Sequence, residues 1–404
     1  MSESEARFLN AIDTSVEASK SIVLRYRDAV RFEADDESDR RFKQYLDRTS
    51  LTEGLRVVPV LEHRGVSIDI LDESSLMATG TLKSVDGCLA AARSLHEGFE
   101  RCVFESGGNT GSALTRYGER VDLESYFIVP TENLSVLDSS HFTRSRAHLI
   151  AVDNPGEVKP AAARLAKLRG LRRIPVPSWR YQSSTLIGCY VLEHFLESGS
   201  YDHMVQSISA AFGPIGIYKV LAAFGKGLKL PRFVGIQQAA NCPMFRAWRG
   251  QDGGDTLPVR STSQLLSRVM YDSEPHTYGT FEKLELLLRE TGGDLETIDH
   301  DEFYSGLDVL FEGSSLIELL ERAGIRIGLR NGEVIEKAGM MALMGTLKQI
   351  GKGEIVTGSR VLVCLSGGTA QPDGKVEPDA RIANASEIDK IFDRDLGSLK
   401  SSHG

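Results

Sequence analysis

The amino-acid sequence predicts an α/β fold built on mostly parallel sheets. Short apolar runs alternate with helical patterns through most of the chain, the mark of successive strand–helix units. One run, Val361–Leu365, is apolar at every position, as expected of a strand covered on both faces. At 404 residues the chain is too long for one ordinary core, so two domains or a two-lobed body are expected.

In chain order, strands are expected at Leu55–Leu61, Val66–Leu71, Arg101–Phe104, Tyr126–Val129, His148–Val152, Met204–Ile208, Phe233–Gln237 and Arg360–Leu365. Helical patterns follow most of them, at Lys83–His96, Thr110–Tyr117, Pro160–Lys167, Ser183–Leu196, Ile215–Phe224 and Glu333–Ile350. In such sheets ligands sit at the carboxyl ends of the strands, where loops meet helix N-termini. Residues 1–50 read as helical and highly charged, and Phe32–Arg48 reads as a solvated face. Residues 371–404 are polar and end in Ser-Ser-His-Gly, the pattern of a frayed tip. The tetrapeptide Gly-Thr-Leu-Lys occurs at 80–83 and again at 345–348, too short to be a structural repeat.

Hydrophobic residues at 41% and charged residues at 25% fit a soluble globular chain. A net charge of −9 gives no global electrostatic drive toward nucleic acid or anionic membrane. The five cysteines (Cys88, Cys102, Cys189, Cys242 and Cys364) lie far apart, without a CxxC pair or a nearby His at ligand spacing. That argues against a metal site and a disulfide framework and fits a reducing cytoplasm. The N-terminal MSESEARFLNAI lacks a basic segment followed by an apolar run, so no secretory leader is expected. No stretch approaches the roughly 20 apolar residues that span a bilayer.

Four loops are candidates for one site. In Ile70–Ser84 a strand ends at Leu71 and a helix starts at about Lys83. A lysine at a helix N-terminus in a partly dry site is disfavoured as ammonium and suited to forming a Schiff base. In Glu105–Leu114, Gly107 and Gly108 give backbone freedom, while Ser106, Asn109 and Thr110 supply short polar groups where helix amides would meet a carboxylate. In Phe212–Lys219, Gly213 and Gly216 would let backbone N–H groups close round a phosphate. It is neither a Walker loop nor a GxGxxG fingerprint. The Val361–Leu365 strand ends in Ser366-Gly367-Gly368, which places a hydroxyl at the sheet's carboxyl edge.

In this order and spacing the four loops resemble fold-type II enzymes dependent on pyridoxal 5'-phosphate (PLP), over about residues 55 to 370. The resemblance implies a tryptophan synthase β-like two-domain architecture. The large PLP-binding domain would take residues 1–84 and 182–404, and a smaller mobile domain, 85–181, would carry the Asn109 loop and close on substrate. It also implies roles. Lys83 would carry the cofactor and shuttle the α-proton, and Asn109 would hydrogen-bond the phenolic oxygen. Gly213, Pro214, Ile215 and Gly216 would hold the phosphate, and Ser366 would face the pyridine nitrogen. Ser106, Gly107 and Thr110 would bind the substrate carboxylate, with Gln237 on the substrate side.

A serine opposite the ring nitrogen makes a weaker electron sink than a carboxylate would, which suits elimination or replacement at the β or γ carbon. Leu230–Gly250 and Thr291–Asp294 resemble the threonine synthase and cysteate synthase group, whose substrates are O-phosphohomoserine and O-phosphoserine. The implied protein is a cytoplasmic homodimeric lyase or transferase acting on an amino acid. β-Replacement on O-acetylserine or serine with another nucleophile, and a non-catalytic ligand-binding relative, are the alternatives. Leu82, Pro214, Ile217, Lys337 and Asn241–Pro243 depart from the family pattern, and Pro214 has no N–H to offer. Lys348 is the rival lysine and reads as structural. Arg180 and Tyr181 read as a hinge or an anion contact, and Gln238 pairs with Gln237 as a substrate-side candidate.

Overall fold

A computed structural model describes residues 2–142, 146–251, 265–271, 279–330, 333–334, 337–367 and 376–392. Contacts divide the chain into two compact units. One comprises Met1–Arg31, Thr52–Leu82 and Tyr181–Thr369, and the other Phe32–Leu51, Lys83–Arg180 and Ala370–Gly404.

The first unit is built on a six-stranded sheet in the order Arg56–His63, Val66–Asp72, Arg360–Leu365, His203–Ser207, Arg232–Gln238, Asp294–Ile298. Only the outermost pair, Arg56–His63 with Val66–Asp72, is antiparallel. The central Arg360–Leu365 strand buries Val361 to Leu365 without a break, as its continuous apolar run requires. Helix Ala338–Gly351 covers this sheet with Met340, Met341, Leu343 and Met344.

The second unit has a five-stranded, wholly parallel sheet in the order Ala380–Ile382, Ala147–Val152, Glu124–Pro130, Arg101–Glu105, Arg172–Arg173. Its two faces carry separate apolar clusters, one around Ile128, Ile150 and Leu165, the other around Phe104, Phe127 and Trp179.

All eight expected strands are present, each end lying within two residues of the expected one. Several expectations need correction. An edge strand that is not among the eight expected ones, Asp294–Ile298, follows Thr291, and helix His300–Leu307 comes after it. The helix expected from Glu333 begins at Ala338, because Glu333–Val334 pairs with Leu329–Arg330 in a short hairpin. The tip read as frayed, 401–404, lies outside the described residues, as does Gly368.

The largest correction concerns Phe32–Arg48. Helix Asp36–Thr49, capped by Asp35, fully buries Phe42 and Leu46, which stand four apart on one face. Buried Arg93 holds this segment down. Its guanidinium lies 4.2 Å over the Phe42 ring, donates to the Phe32 carbonyl and pairs with Glu33. Asp39 accepts from the Phe32 and Glu33 amides at 2.6 and 2.9 Å. The charges that made the stretch read as solvated are partly internal partners.

Among the described residues no helix is long and apolar enough to cross a membrane.

Burial lowers the pKa of five imidazoles, His63, His96, His141, His194 and His203, because desolvation disfavours the imidazolium. In the unfolded chain they titrate near ~6.5, so below that pH the unfolded state binds more protons than the folded one. Their contribution to stability is therefore complete above ~6.5 and is lost as pH falls toward the folded-state values. Thermal melts are expected to show a falling midpoint between pH 7.5 and 5.5, before carboxylates titrate. A flat midpoint over that range would rule out this account.

Candidate active site

Four parallel strands of the first unit, Val66–Asp72, Arg360–Leu365, His203–Ser207 and Arg232–Gln238, end at one edge of the sheet. The segment after Asp72 is locked locally. Fully buried Asp72 accepts from the amides of Ser74 and Ser75 at 3.2 and 2.9 Å and is paired to Arg56. The chain then runs along the end of the neighbouring strand. The Glu73 amide donates to Leu365 (3.1 Å), the Leu82 amide donates to the Ser366 carbonyl (3.2 Å), and Thr81 bridges Gly367. Half-buried Ser366 is thus tied to the residue immediately before Lys83.

The same edge carries the start of helix Phe212–Phe224. Ala211 turns the chain into it in a left-handed conformation, φ +57° and ψ 19°. The first helix amides have no intrahelical acceptor and point outward with the positive end of the dipole. Pro214 offers none, and the Ile215 amide already bonds back to Ala211 at 3.4 Å. The turn that leads into this helix start, 209–213, therefore lies upstream of most of the Gly213–Gly216 stretch singled out from sequence. Gly216 has a different reason to be glycine: a Cβ there would lie 2.3 Å from the Ser184 Cβ and 2.9 Å from its carbonyl carbon. At Gly213 a Cβ would meet the Gln206 side-chain amide at 3.1 Å. Gln206 is buried beneath this turn, and its Oε1 has no hydrogen-bond partner among the described residues.

Gln237 and Gln238 close the next strand, both 2% exposed. Gln237 accepts from the Phe245 amide (2.9 Å) and donates to the Ile208 carbonyl (3.5 Å), while Gln238 clasps both backbone groups of Ser267. These amides brace the loops behind the edge. Tyr181 packs edge-on against Phe212, with ring centroids 4.9 Å apart, and its buried hydroxyl finds no hydrogen-bond partner among the described residues. Lys348 donates to the Thr297 carbonyl and pairs with Glu296 and Glu302, which is the structural role read for it.

In the second unit Lys83 is the first residue of helix Lys83–Glu97, half-buried, with Nζ 3.2 Å from Oδ2 of Asp86. This helix packs against helix Asn109–Arg120 so closely that a Cβ on Gly87 would lie 2.7 Å from the Ala113 carbonyl oxygen. The loop before the second helix gathers the other expected residues at the carboxyl end of Arg101–Glu105. The Ser106 amide donates to Ile128, and its Oγ accepts from the Gly108 amide at 3.0 Å. Gly108, at φ 153° and ψ −81°, holds a conformation that favours glycine. Asn109 and Thr110 are the first two residues of the helix, so Ser106, Gly107, Asn109 and Thr110 share one turn. Gly111 lets the helix approach the sheet, since a Cβ there would strike the Phe127 ring.

Sequence reasoning missed two residues. Buried Asn133, 24 positions beyond Asn109, donates from Nδ2 to the Gly107 carbonyl at 2.7 Å and fixes the turn from outside. Nothing local marks it. Asp86 stands three residues after Lys83, and that spacing was a readable signal.

The residues present fit PLP. An uncharged turn at a helix start suits a phosphate, and an amine and a side-chain amide each start a helix at a strand's carboxyl end.

No family model matches the chain. Threonine synthase from Synechocystis sp. is 22% identical over 316 residues, covering 77% of this chain and 72% of that protein. Among solved structures, diaminopropionate ammonia lyase from Escherichia coli superposes with a TM-score of 0.62 at 13% identity, covering 96% of this chain and 95% of that one. A pyridoxal 5'-phosphate-dependent aspartate racemase gives 0.61 at 17%, with 84% and 98% covered. Threonine deaminase isoform 2 from Solanum lycopersicum gives 0.58 at 14%, with 91% and 90% covered. The chain has the tryptophan synthase β-like, fold-type II architecture expected from its sequence.

The two glycines of the turn separate packing from ligand contact. Gly216→Ala drives a methyl into the Ser184 backbone and is expected to destabilise the protein by ~1–3 kcal/mol, read from denaturant melts. Gly213→Ala meets only the end of a flexible side chain and should cost less than ~1 kcal/mol. Equal losses at the two positions would contradict this assignment.

Proposed function

We propose that this chain is a PLP-dependent enzyme that removes the α-proton of an amino acid, expels a leaving group from its β or γ carbon and adds a nucleophile. The substrate would be of the O-phosphohomoserine or O-phosphoserine type, as for threonine synthase or cysteate synthase. The observation that carries this reading is the placement of Lys83. It opens a helix directly after a segment bonded to the end of the Ser366 strand, in the fold whose solved members include a pyridoxal 5'-phosphate-dependent racemase. The likeness to threonine synthase supports the substrate class.

The chain's groups divide the work. The backbone amides of 209–213 take the phosphate with the dipole of helix Phe212–Phe224, since no Lys or Arg lies within 208–216. Lys83 is the covalent anchor. The Asn109 amide would hold the ring through its phenolic oxygen, and the Ser366 hydroxyl would face the ring nitrogen without supplying negative charge. Ser106, Gly107 and Thr110 receive the substrate carboxylate at the start of helix Asn109–Arg120. Gln237 stays behind the site as a brace. When bound, PLP supplies the sink for the electron pair left as the Cα–H bond breaks. The Lys83 Nζ would take that proton; a β leaving group would then depart with the electrons of its Cβ–O bond on the phosphate oxygen, whereas a γ leaving group would depart in the same way only after a Cβ proton had also been removed.

Purified protein is expected to be yellow, and Lys83→Ala to lose the visible band together with ~10²–10⁴-fold or more of the rate. The substrate is read from phosphate release with O-phosphohomoserine and O-phosphoserine, each with and without sulfite. Release from neither would remove the phosphorylated class, and a colourless protein that cannot be reconstituted with PLP would remove the cofactor.

A further inference from the structure

The carboxylate beside Lys83 is not needed to hold a cofactor, yet it is the more deeply buried member of the pair. The side chain of Asp86 is 5% exposed, that of Lys83 27%. Both lie on one face of helix Lys83–Glu97, three residues apart, with Nζ to Oδ2 at 3.2 Å. Around Asp86 the helix is apolar and closed: Val85, Cys88, Leu89 and Ala90 are buried, and Gly87 is pressed against Ala113. An early position on a helix favours an anion through the dipole, but a solvated acid would serve that purpose equally. A buried carboxylate retains its charge only with a partner, and removing that partner leaves an uncompensated charge. Lys83 is the ion-pair partner of Asp86.

We propose that Asp86 is a positioning residue that receives the Lys83 amine whenever it is not bonded to cofactor. It would fix Nζ against the helix in the apo protein and again during each turnover, when the amine is released and carries the proton taken from Cα as –NH3+. The proposal rests on the reading of Lys83 given above. In that cycle the proton moves from Cα to Nζ, the C–H electron pair goes to the PLP ring, and Asp86 accepts the ammonium without itself reacting. The clasp has a cost: the ion pair must open before Nζ can attack a carbonyl.

The test uses the apo protein, so it does not require turnover. Acetic anhydride acylation of Lys83 is followed by peptide mapping, with exposed Lys229 as internal reference. In Asp86→Asn the Lys83 rate is expected to rise roughly fivefold, equivalent to an opened ion pair of ~1 kcal/mol. Asp86→Glu should return it toward the wild-type value, which a merely structural role would not do. An unchanged rate in Asp86→Asn protein that melts like wild type overturns the proposal. A double-mutant cycle covers the case in which Asp86→Asn folds poorly. Lys83→Met should lower the melting temperature by stranding the carboxylate, and Lys83→Met with Asp86→Asn should recover most of the loss. Simple additivity of the two losses overturns the clasp. Failure of the wild type to bind PLP, with the acylation contrast intact, would sink the functional reading and leave the clasp standing.

Discussion

The hydrogen-bond register of the six-stranded sheet sets the terms for everything in its unit. From Val66–Asp72 across to Asp294–Ile298 the strands run the same way, so each must deliver its chain to the same edge before returning by a helix. Helix starts, whose first amides have no intrahelical acceptor, are concentrated there by topology. The turn at 209–213 and Ser366 lie on adjacent strand ends, and the segment leading to Lys83 is stitched to that edge by backbone bonds at Glu73, Thr81 and Leu82. Side chains add specificity to a position that the parallel arrangement has already chosen.

Close approach is the second recurring device. Gly216 against Ser184, Gly87 against Ala113, Gly111 against Phe127 and Gly339 against Leu365 each let a helix come nearer its neighbour than a side chain would allow. Three of the four lie within a few residues of a proposed functional group, so they hold the helix starts in register with the strand ends. A glycine near a candidate ligand therefore has two competing explanations. Here the geometry separates them: Gly108 serves a backbone conformation, whereas Gly216 serves packing.

Buried charge is organised in the same economical way. Asp72, Asp39 and Glu296 are each buried and each accept backbone amides as well as a cationic partner, which offsets the desolvation of the carboxylate. Asp86 stands apart, because its cationic partner is the lysine assigned a reactive role.

The sequence by itself determined the strand–helix alternation, the buried run Val361–Leu365 and the order of the four loops. Alternation and capping are local properties, set by side-chain period and by residues within one turn of each other. It also determined that Lys83 opens a helix, and the Lys83–Asp86 spacing was legible though not used. Only the tertiary structure decided which residues lie behind those loops. Asn133 reaches Gly107 across 26 positions, Ser184 meets Gly216 across 32, and Arg93 covers Phe42 across 51, so no period or short motif announces them. For the same reason the charged stretch at 32–48 misled: its composition is polar, but two apolar side chains on one helical face and a distant arginine were enough to bury it. The edge strand Asp294–Ile298 was not expected because Asp294 and Glu296 leave it no apolar run, and pairing with Arg232–Gln238 supplies the strand. Local physics fixed what each segment becomes, and long-range packing fixed which groups it meets.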